Sequence, residues 1–411
     1  MVIDHGREAE VSAPSRLGEE FVQDPHTIAR MLREEGPVRP VHSRSGLPAW
    51  IVTGYAEAKA LLSDPRLHKD ASTRPELFAN LRAASGAQAS PSTLLLSEHL
   101  LNSDPPDHTR LRRLVTKAFT AGTVARLRPR IEQIADELLD DLAGRDEADL
   151  LEAYAFPLPV TVICELLGVP AEDREKFRAW SASLITASGP QEAGTASKEL
   201  AEYLTALLDR KRATPGEDLL SDLVHVSDEG DQLSEAELVS MAFLLLVAGH
   251  ETTVSLIANG VLALLRAPDQ LDALRADPSL LPGAVEEFLR FDGPINIATL
   301  RFTSEPVGVG DVEIPENALV FVSLLAANRD EKRFPEPERL DLTRQTGGHL
   351  AFGHGIHYCV GAPLARLEGE IAIGRLLDRF PGLALAEATD RLRWRDSTLV
   401  HALESLRVRL V

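Results

Sequence analysis

The sequence predicts a mainly α-helical fold with small β-sheets (α+β), and three observations carry that prediction. First, Ser234-Glu235-Ala236-Glu237 is a capping box, which satisfies two free backbone donors at a helix start, and the helix it opens runs to Arg266, ahead of Pro268. About 30 residues at ~1.5 Å rise make a rod of ~45 Å, enough to cross a whole domain. Its middle is apolar nearly all round, so burial on most sides is expected. Second, helical periodicity marks 106–143, 150–168, 171–187, 197–213, Pro282–Phe291 and Pro363–Phe380. Third, strand-like runs are few and short: Ala49–Thr53, and 305–325 folded about a Gly308–Asp311 turn.

Taken in order, residues 1–20 are polar and acidic and read as a flexible N-terminus, leaving 21–411 as one domain. A chain of 411 residues with 44% hydrophobic content can bury one large core. No repeat or low-complexity linker divides it. The helix after the first strand ends near Ser63-Asp64-Pro65. Residues 69–103, rich in Ala, Ser and Pro, read as a long loop holding at most a short helix, and such loops in compact folds are often functional. Ser188–Gly194 reads as a mobile connection and a candidate lid.

Bulk charge and cysteine usage remove several function classes. A net charge of −20 argues against nucleic acid as a partner. Two cysteines suggest no disulfide framework and a reducing compartment. No apolar leader heads the chain, and no apolar run reaches the ~18 residues that span a bilayer. A cytoplasmic protein without a membrane partner is expected.

The chemistry concentrates in three places. Phe352-Gly353-His354-Gly355-Ile356-His357-Tyr358-Cys359-Val360-Gly361 puts one cysteine in a glycine-rich loop just before a helix. Backbone N–H groups and the dipole at a helix start favour a thiolate there, and the glycines let backbone approach a flat ligand. A buried structural cysteine, a zinc site made by His354, His357 and Cys359, and a cysteine nucleophile are the alternatives. Inside the long helix, Ala248-Gly249-His250-Glu251-Thr252-Thr253 places an acid and an alcohol where desolvation is costly. Gly249 weakens a helix by ~1 kcal/mol relative to Ala, so a kink or widening is expected; hydroxyls bonded back to the preceding turn are the plainer reading. Glu287 and Arg290, three apart, share a helix face, with Arg339 able to join them; an ordinary surface ion pair is the alternative.

Together these motifs resemble the cytochrome P450 superfamily, in its soluble bacterial class. The long-helix Ala248–Thr253 run, the Glu287-x-x-Arg290 pair and the Phe352-x-x-Gly355-x-x-x-Cys359-x-Gly361 loop match in order and spacing. Asp104–Arg110 and Ala327-Asn328-Arg329-Asp330 are similar to further bacterial signatures. The likeness extends from about residue 20 to the end, and is greatest to the branch that hydroxylates or epoxidises macrolides and other polyketides.

The resemblance implies a cytochrome P450 fold, with haem b (iron protoporphyrin IX) between the long helix and the cysteine-loop helix. It implies Cys359 as the axial metal ligand, which as cysteinate favours O–O cleavage. It assigns His108, Arg112, Arg301 and His357 to the haem propionates, and Ala248, Phe352, Gly353 and Gly361 to haem contact. Glu287, Arg290 and Arg339 become a structural ion network. Thr252, holding a water, and Glu251, relaying protons, become the catalytic pair. Leu244, Leu245, Ala248, Ile295, Ile297, Thr299, Leu399 and Val400 are implied to line the site of an apolar substrate. His401 and Ala402 depart from the family, which often carries Arg and Gly there. The 69–103 and 175–205 regions add to specificity. No flavin or nicotinamide domain is legible, so a ferredoxin and ferredoxin reductase are the expected electron donors, with O2 as co-substrate; Arg113, Lys117 and Arg366 form a candidate docking patch. A haem enzyme of other chemistry (peroxygenation, dehydration, carbon–carbon coupling) and a haem-dependent binder without turnover are the rivals.

Overall fold

The structure is a computed structural model that describes residues 15–85, 91–118, 120–185, 190–226, 231–388 and 391–410. The rod read from the capping box is present as the central helix, Glu235–Leu265, with Ser234 Oγ accepting from Glu237 N–H and the Glu237 carboxylate accepting from Ser234 N–H. It runs unbroken through 248–253, where a kink was expected. The hydroxyls of Thr252 and Ser255 donate to the carbonyls of Ala248 and Glu251, four residues back. Gly249 serves close approach instead: a Cβ there would lie 2.8 Å from Ile163 Cδ1, on helix Pro157–Leu166. By length and composition the central helix could cross a membrane, contrary to the sequence reading. It packs against helices Pro157–Leu166, Pro190–Ala213, Leu281–Asp292 and Ala362–Arg379, as the core helix of a large protein does.

Other boundaries shift for local reasons. The single helix expected over 106–143 is two, Asp107–Ala118 and Ala121–Leu142, because Thr120 is extended and its hydroxyl caps Thr123 N–H. The 150–168 helix is a π-helical turn, Leu151–Ala155, followed by Pro157–Leu166. Pro190–Gly194, taken as part of a mobile connection, forms the start of helix Pro190–Ala213; Ser188 and Gly189 lie outside the described residues. The 69–103 loop carries helices Pro75–Ser85 and Pro91–Leu95, each opened by a proline, which suits a first helical position. Ser15–Arg16, inside the stretch read as flexible, form a strand parallel to Val38–His42.

Strands run in the order Ser15–Arg16, Val38–His42, Pro48–Val52, Leu319–Val322, Arg301–Thr303, Leu67–His68. One register matters for function. Antiparallel pairing sets Leu67 opposite Thr303 and His68 opposite Phe302, so the next step brings Lys69 to Arg301. The main apolar core lies among the helices; two smaller clusters cover the sheet.

Candidate active site

The cysteine loop is shaped by its glycines. Gly353 and Gly355 have φ +72° and +73°, a region L side chains rarely adopt, and a Cβ at Gly355 would sit 2.9 Å from Leu62 O. Cys359 N–H donates to Phe352 O at 3.0 Å, and helix Ala362–Arg379 starts just beyond. Burial pushes the Cys359 thiol up; the backbone N–H groups of Gly361 and Ala362 and the charges of Arg112 and Arg366 oppose it, and the net shift is upward. The helix start therefore does not hold a thiolate unaided, as the sequence reading supposed; a cation at the sulfur would complete it. The residue is accessible, although the protein packed around its thiol desolvates it. Among the described residues His354, His357 and Cys359 do not converge as a ligand set, which removes zinc.

Beside this loop lies a group of basic residues that, among the described residues, has one acid near it, Asp104. The His108 and His357 rings meet edge-on, centroids 4.3 Å apart; His108 Nε2 and His357 Nδ1 are buried without partners. Burial, with Lys69, His108, Arg301 and Arg112 around it, pushes His357 down to about 2. Burial also brings Arg301 down to about 10 and Lys69 well below its ordinary value. Lys69 Nζ donates to Thr299 Oγ1 at 2.6 Å and Arg301 Nη1 to Thr299 O at 2.9 Å. The Arg112 guanidinium, its pKa lowered by burial, makes no hydrogen bond or ion pair among the described residues. The nearby acid, Asp104, gives its carboxylate to the N–H groups of Lys69 and Asp70. Unsatisfied buried donors of this number cost several kcal/mol unless an anion meets them. Two propionates fit that need. Lys69 was missed from sequence, because only the sheet register brings it beside Arg301.

On the central helix, Glu251 is buried at 4% exposure. Its Oε1 accepts from Ser181 Oγ and its Oε2 from Arg395 Nη1, each at 3.1 Å; His250 Nε2 lies 3.4 Å from Oε1. Burial raises the Glu251 carboxyl, but His250, Arg395 and Ser181 outweigh it and the net shift is downward, so the group is ionised at neutral pH. Arg395 is part-exposed, linking the carboxylate to the protein's edge. Neither Ser181 nor Arg395 carries a local sequence signal. Thr252 is half-buried, and Leu244, Leu245 and Ala248 share its face; Ala248 is exposed in the middle of a helix whose residues are mostly buried.

The implied lining residues divide. Ile295 pairs with Val400 in an isolated bridge, and Leu399 beside it is exposed. Ile297 is built into the sheet-side core, and Thr299 spends its hydroxyl on Lys69. The ion network forms with one correction. Arg290 and Glu287 are fully buried and doubly bonded, at 2.7 and 2.8 Å. The third cation is Arg344, whose Nε donates to Glu287 Oε1 at 3.2 Å. Arg339 contributes only its carbonyl; its side chain is exposed and faces Glu336. Arg366, expected in a docking patch, is held by Glu286 through two hydrogen bonds.

A model of the family described as cytochrome P450 matches residues 189–393. Cytochrome P450 107B1 of Saccharopolyspora erythraea is 55% identical over 389 residues, 95% of this chain and 96% of that one. The 6-deoxyerythronolide B hydroxylase of the same organism is 45% identical over 404 residues, 97% of this chain and 99% of that one. Among solved structures, the tirandamycin C-bound P450 monooxygenase TamI superposes with a TM-score of 0.90 at 50% identity, covering 97% of this chain and all of that one. With the fold, the cysteine loop and the unmatched cations all agreeing, the chain belongs to the cytochrome P450 family.

Proposed function

We propose that this enzyme inserts one oxygen atom from O2 into an apolar polyketide- or macrolide-like molecule, by hydroxylation or epoxidation, with electrons from a ferredoxin served by a ferredoxin reductase. As a cytochrome P450 it is an oxygenase that takes haem b. Bound haem supplies the redox-active iron at which O2 is used. Cys359 would hold the iron, Lys69, His108, Arg112, Arg301 and His357 the propionates, and Gly353, where a Cβ would meet nothing nearer than 3.9 Å, would leave room for the flat ring. The carrying observation is the crowd of buried basic groups beside Cys359, two of whose imidazole nitrogens have no partner.

The protein's own part in oxygen use is water control and proton movement. Thr252 can turn its hydroxyl from Ala248 O to hold a water against the ligand face. Glu251, ionised at neutral pH, can take a proton arriving past Arg395 and Ser181 and pass it inward. Aliphatic Leu244, Leu245, Ile295 and Val400 favour an apolar substrate. The names of the two relatives above, one acting on 6-deoxyerythronolide B and one bound to tirandamycin C, support a polyketide. Ferredoxin docking is supported by exposed Arg113 and Lys117 on the helix whose His108 touches His357, with exposed Ile356 and Tyr358 flanking the cysteine.

The test uses haem-loaded protein supplied with ferredoxin and reductase. Carbon monoxide added to the reduced protein should give the absorption of cysteinate-bound iron; its absence overturns the haem assignment. Thr252→Ala should lower product per electron severalfold and release hydrogen peroxide, while an unchanged yield removes the role of Thr252. Turnover driven by hydrogen peroxide but not by ferredoxin would reassign the enzyme as a peroxygenase.

A further inference from the structure

His401, which departs from the family's usual residue, belongs to a second polar cluster that the haem chemistry does not use. His26 Nε2 lies 2.8 Å from Asp292 Oδ1, and His401 Nε2 lies 3.0 Å from the same oxygen. All three ligand atoms fall within 4.8 Å of one another. They come from three elements: helix Pro25–Glu35, the last turn of Leu281–Asp292, and the chain after Val400. The three residues line a cavity of about 550 Å³.

The set is held in place. Trp394 stacks on the His401 ring, centroids 3.6 Å apart and planes 20° apart. Asn259, buried in the central helix, donates to both the His401 and the Asp292 carbonyls, at 3.0 and 3.1 Å. Two imidazoles and one carboxylate are a donor set of zinc and its borderline neighbours, with water able to take the fourth place. Tetrahedral ligands at ~2.0–2.1 Å from zinc stand ~3.3 Å apart, so the two N···O separations are a few tenths of an ångström short of a formed site. The buried Nδ1 of His26 has no partner and can take up the proton that Nε2 must release to a metal. Charge agrees as well: Asp24, Asp292 and Glu338 outnumber Arg266 and Arg329 on the cavity wall, and Arg329 is already paired with Glu338.

We propose that His26, Asp292 and His401 bind a divalent transition metal of the zinc class, separate from the haem iron. Occupancy would bear on the substrate site, because His401 follows Val400 and Asp292 stands three before Ile295, the two residues joined in the lining bridge.

The experiment titrates zinc chloride into haem-loaded, full-length protein by calorimetry, with metal analysis after desalting. One zinc per chain is expected beyond iron, with affinity falling at least about tenfold in His26→Gln and in His401→Gln. Asp292 is buried, so Asp292→Asn could fail to fold; His26→Gln, nearer the cavity rim, keeps the test open if its metal-free melting matches wild type. Anomalous scattering from zinc-soaked crystals should peak between the three side chains. Equal zinc binding by wild type and the His26→Gln/His401→Gln double variant overturns the proposal, as does no retained zinc or a peak elsewhere. Loss of stability in the variants with no zinc dependence would leave a hydrogen-bonded triad and overturn it too.

Discussion

Around Glu287 every charge is answered. Arg290 directs all five of its N–H donors at acceptors: the Glu287 carboxylate twice, and the carbonyls of Asn328, Pro337 and Arg339. Glu287 also accepts from Asp341 N–H and from Arg344. Around His357 the opposite holds. Lys69, Arg112 and Arg301 crowd two imidazoles, orphaned nitrogens remain, and the acid at hand is shared between backbone N–H groups and the His68 ring. Both clusters are buried and both are rich in arginine. A network closed on itself supports the fold, whereas one with cations left over is shaped for an anion the chain does not contain. Burial and residue type do not separate the two cases; the tally of donors against acceptors does.

That contrast predicts opposite responses to losing one charge. Glu287→Gln should be the most damaging change, because it leaves Arg290 buried beside a neutral amide. A loss of about 3–5 kcal/mol is expected from breaking a buried pair. Chemical denaturation of the haem-loaded protein, followed by tryptophan fluorescence and the haem band, measures it. A loss under about 1 kcal/mol would mean that the closed network carries little of the fold.

In the open cluster, removing a cation relieves like-charge crowding, and if the cluster holds the propionates as proposed it should weaken only the hold on haem. Arg112→Leu or Lys69→Met should speed haem transfer to a haem-free acceptor by roughly 10–100-fold, the equivalent of a charged hydrogen bond worth ~1.5–3 kcal/mol. The denaturation midpoint before haem loss should fall far less than in Glu287→Gln. If the two variants instead unfold as readily as Glu287→Gln and keep haem normally, the cluster is structural and the comparison fails.

Much of this was legible in the sequence, for identifiable reasons. The capping box at Ser234, the glycine pattern about Cys359 and the three-residue step from Glu287 to Arg290 are local, and local spacing fixes which side chains share a face. Lys69, Ser181 and Arg395 were not legible. Each reaches its site through a long-range contact: Lys69 because it follows the strand paired with Arg301–Thr303 and meets Thr299, the other two by bonding to Glu251. The helices at Pro75 and Pro91 did have a signal, a proline at each first position, that alanine- and serine-rich composition masked. Cys359 shows a subtler limit: helix-start logic predicts a thiolate, but burial outweighs it.

Arg339 and Arg344 give the smallest and most discriminating test. Proximity in sequence to the Pro337-Glu338-Arg339-Leu340 turn made Arg339 the natural third member of the network. The fold gives that place to Arg344, five residues on, which reaches Glu287 and also donates to the Arg339 carbonyl at 3.0 Å. The turn uses the backbone of Arg339, which any residue supplies, and leaves its side chain exposed beside Glu336. Arg339→Ala should therefore change stability by no more than ~0.5 kcal/mol, as at most surface sites. Arg344→Ala removes a charged donor from a buried carboxylate and should cost ~1–3 kcal/mol. Thermal melting of the two haem-loaded variants side by side decides it. Equal losses would return Arg339 to the network, and a larger loss in Arg339→Ala would show that the turn rearranges around its side chain.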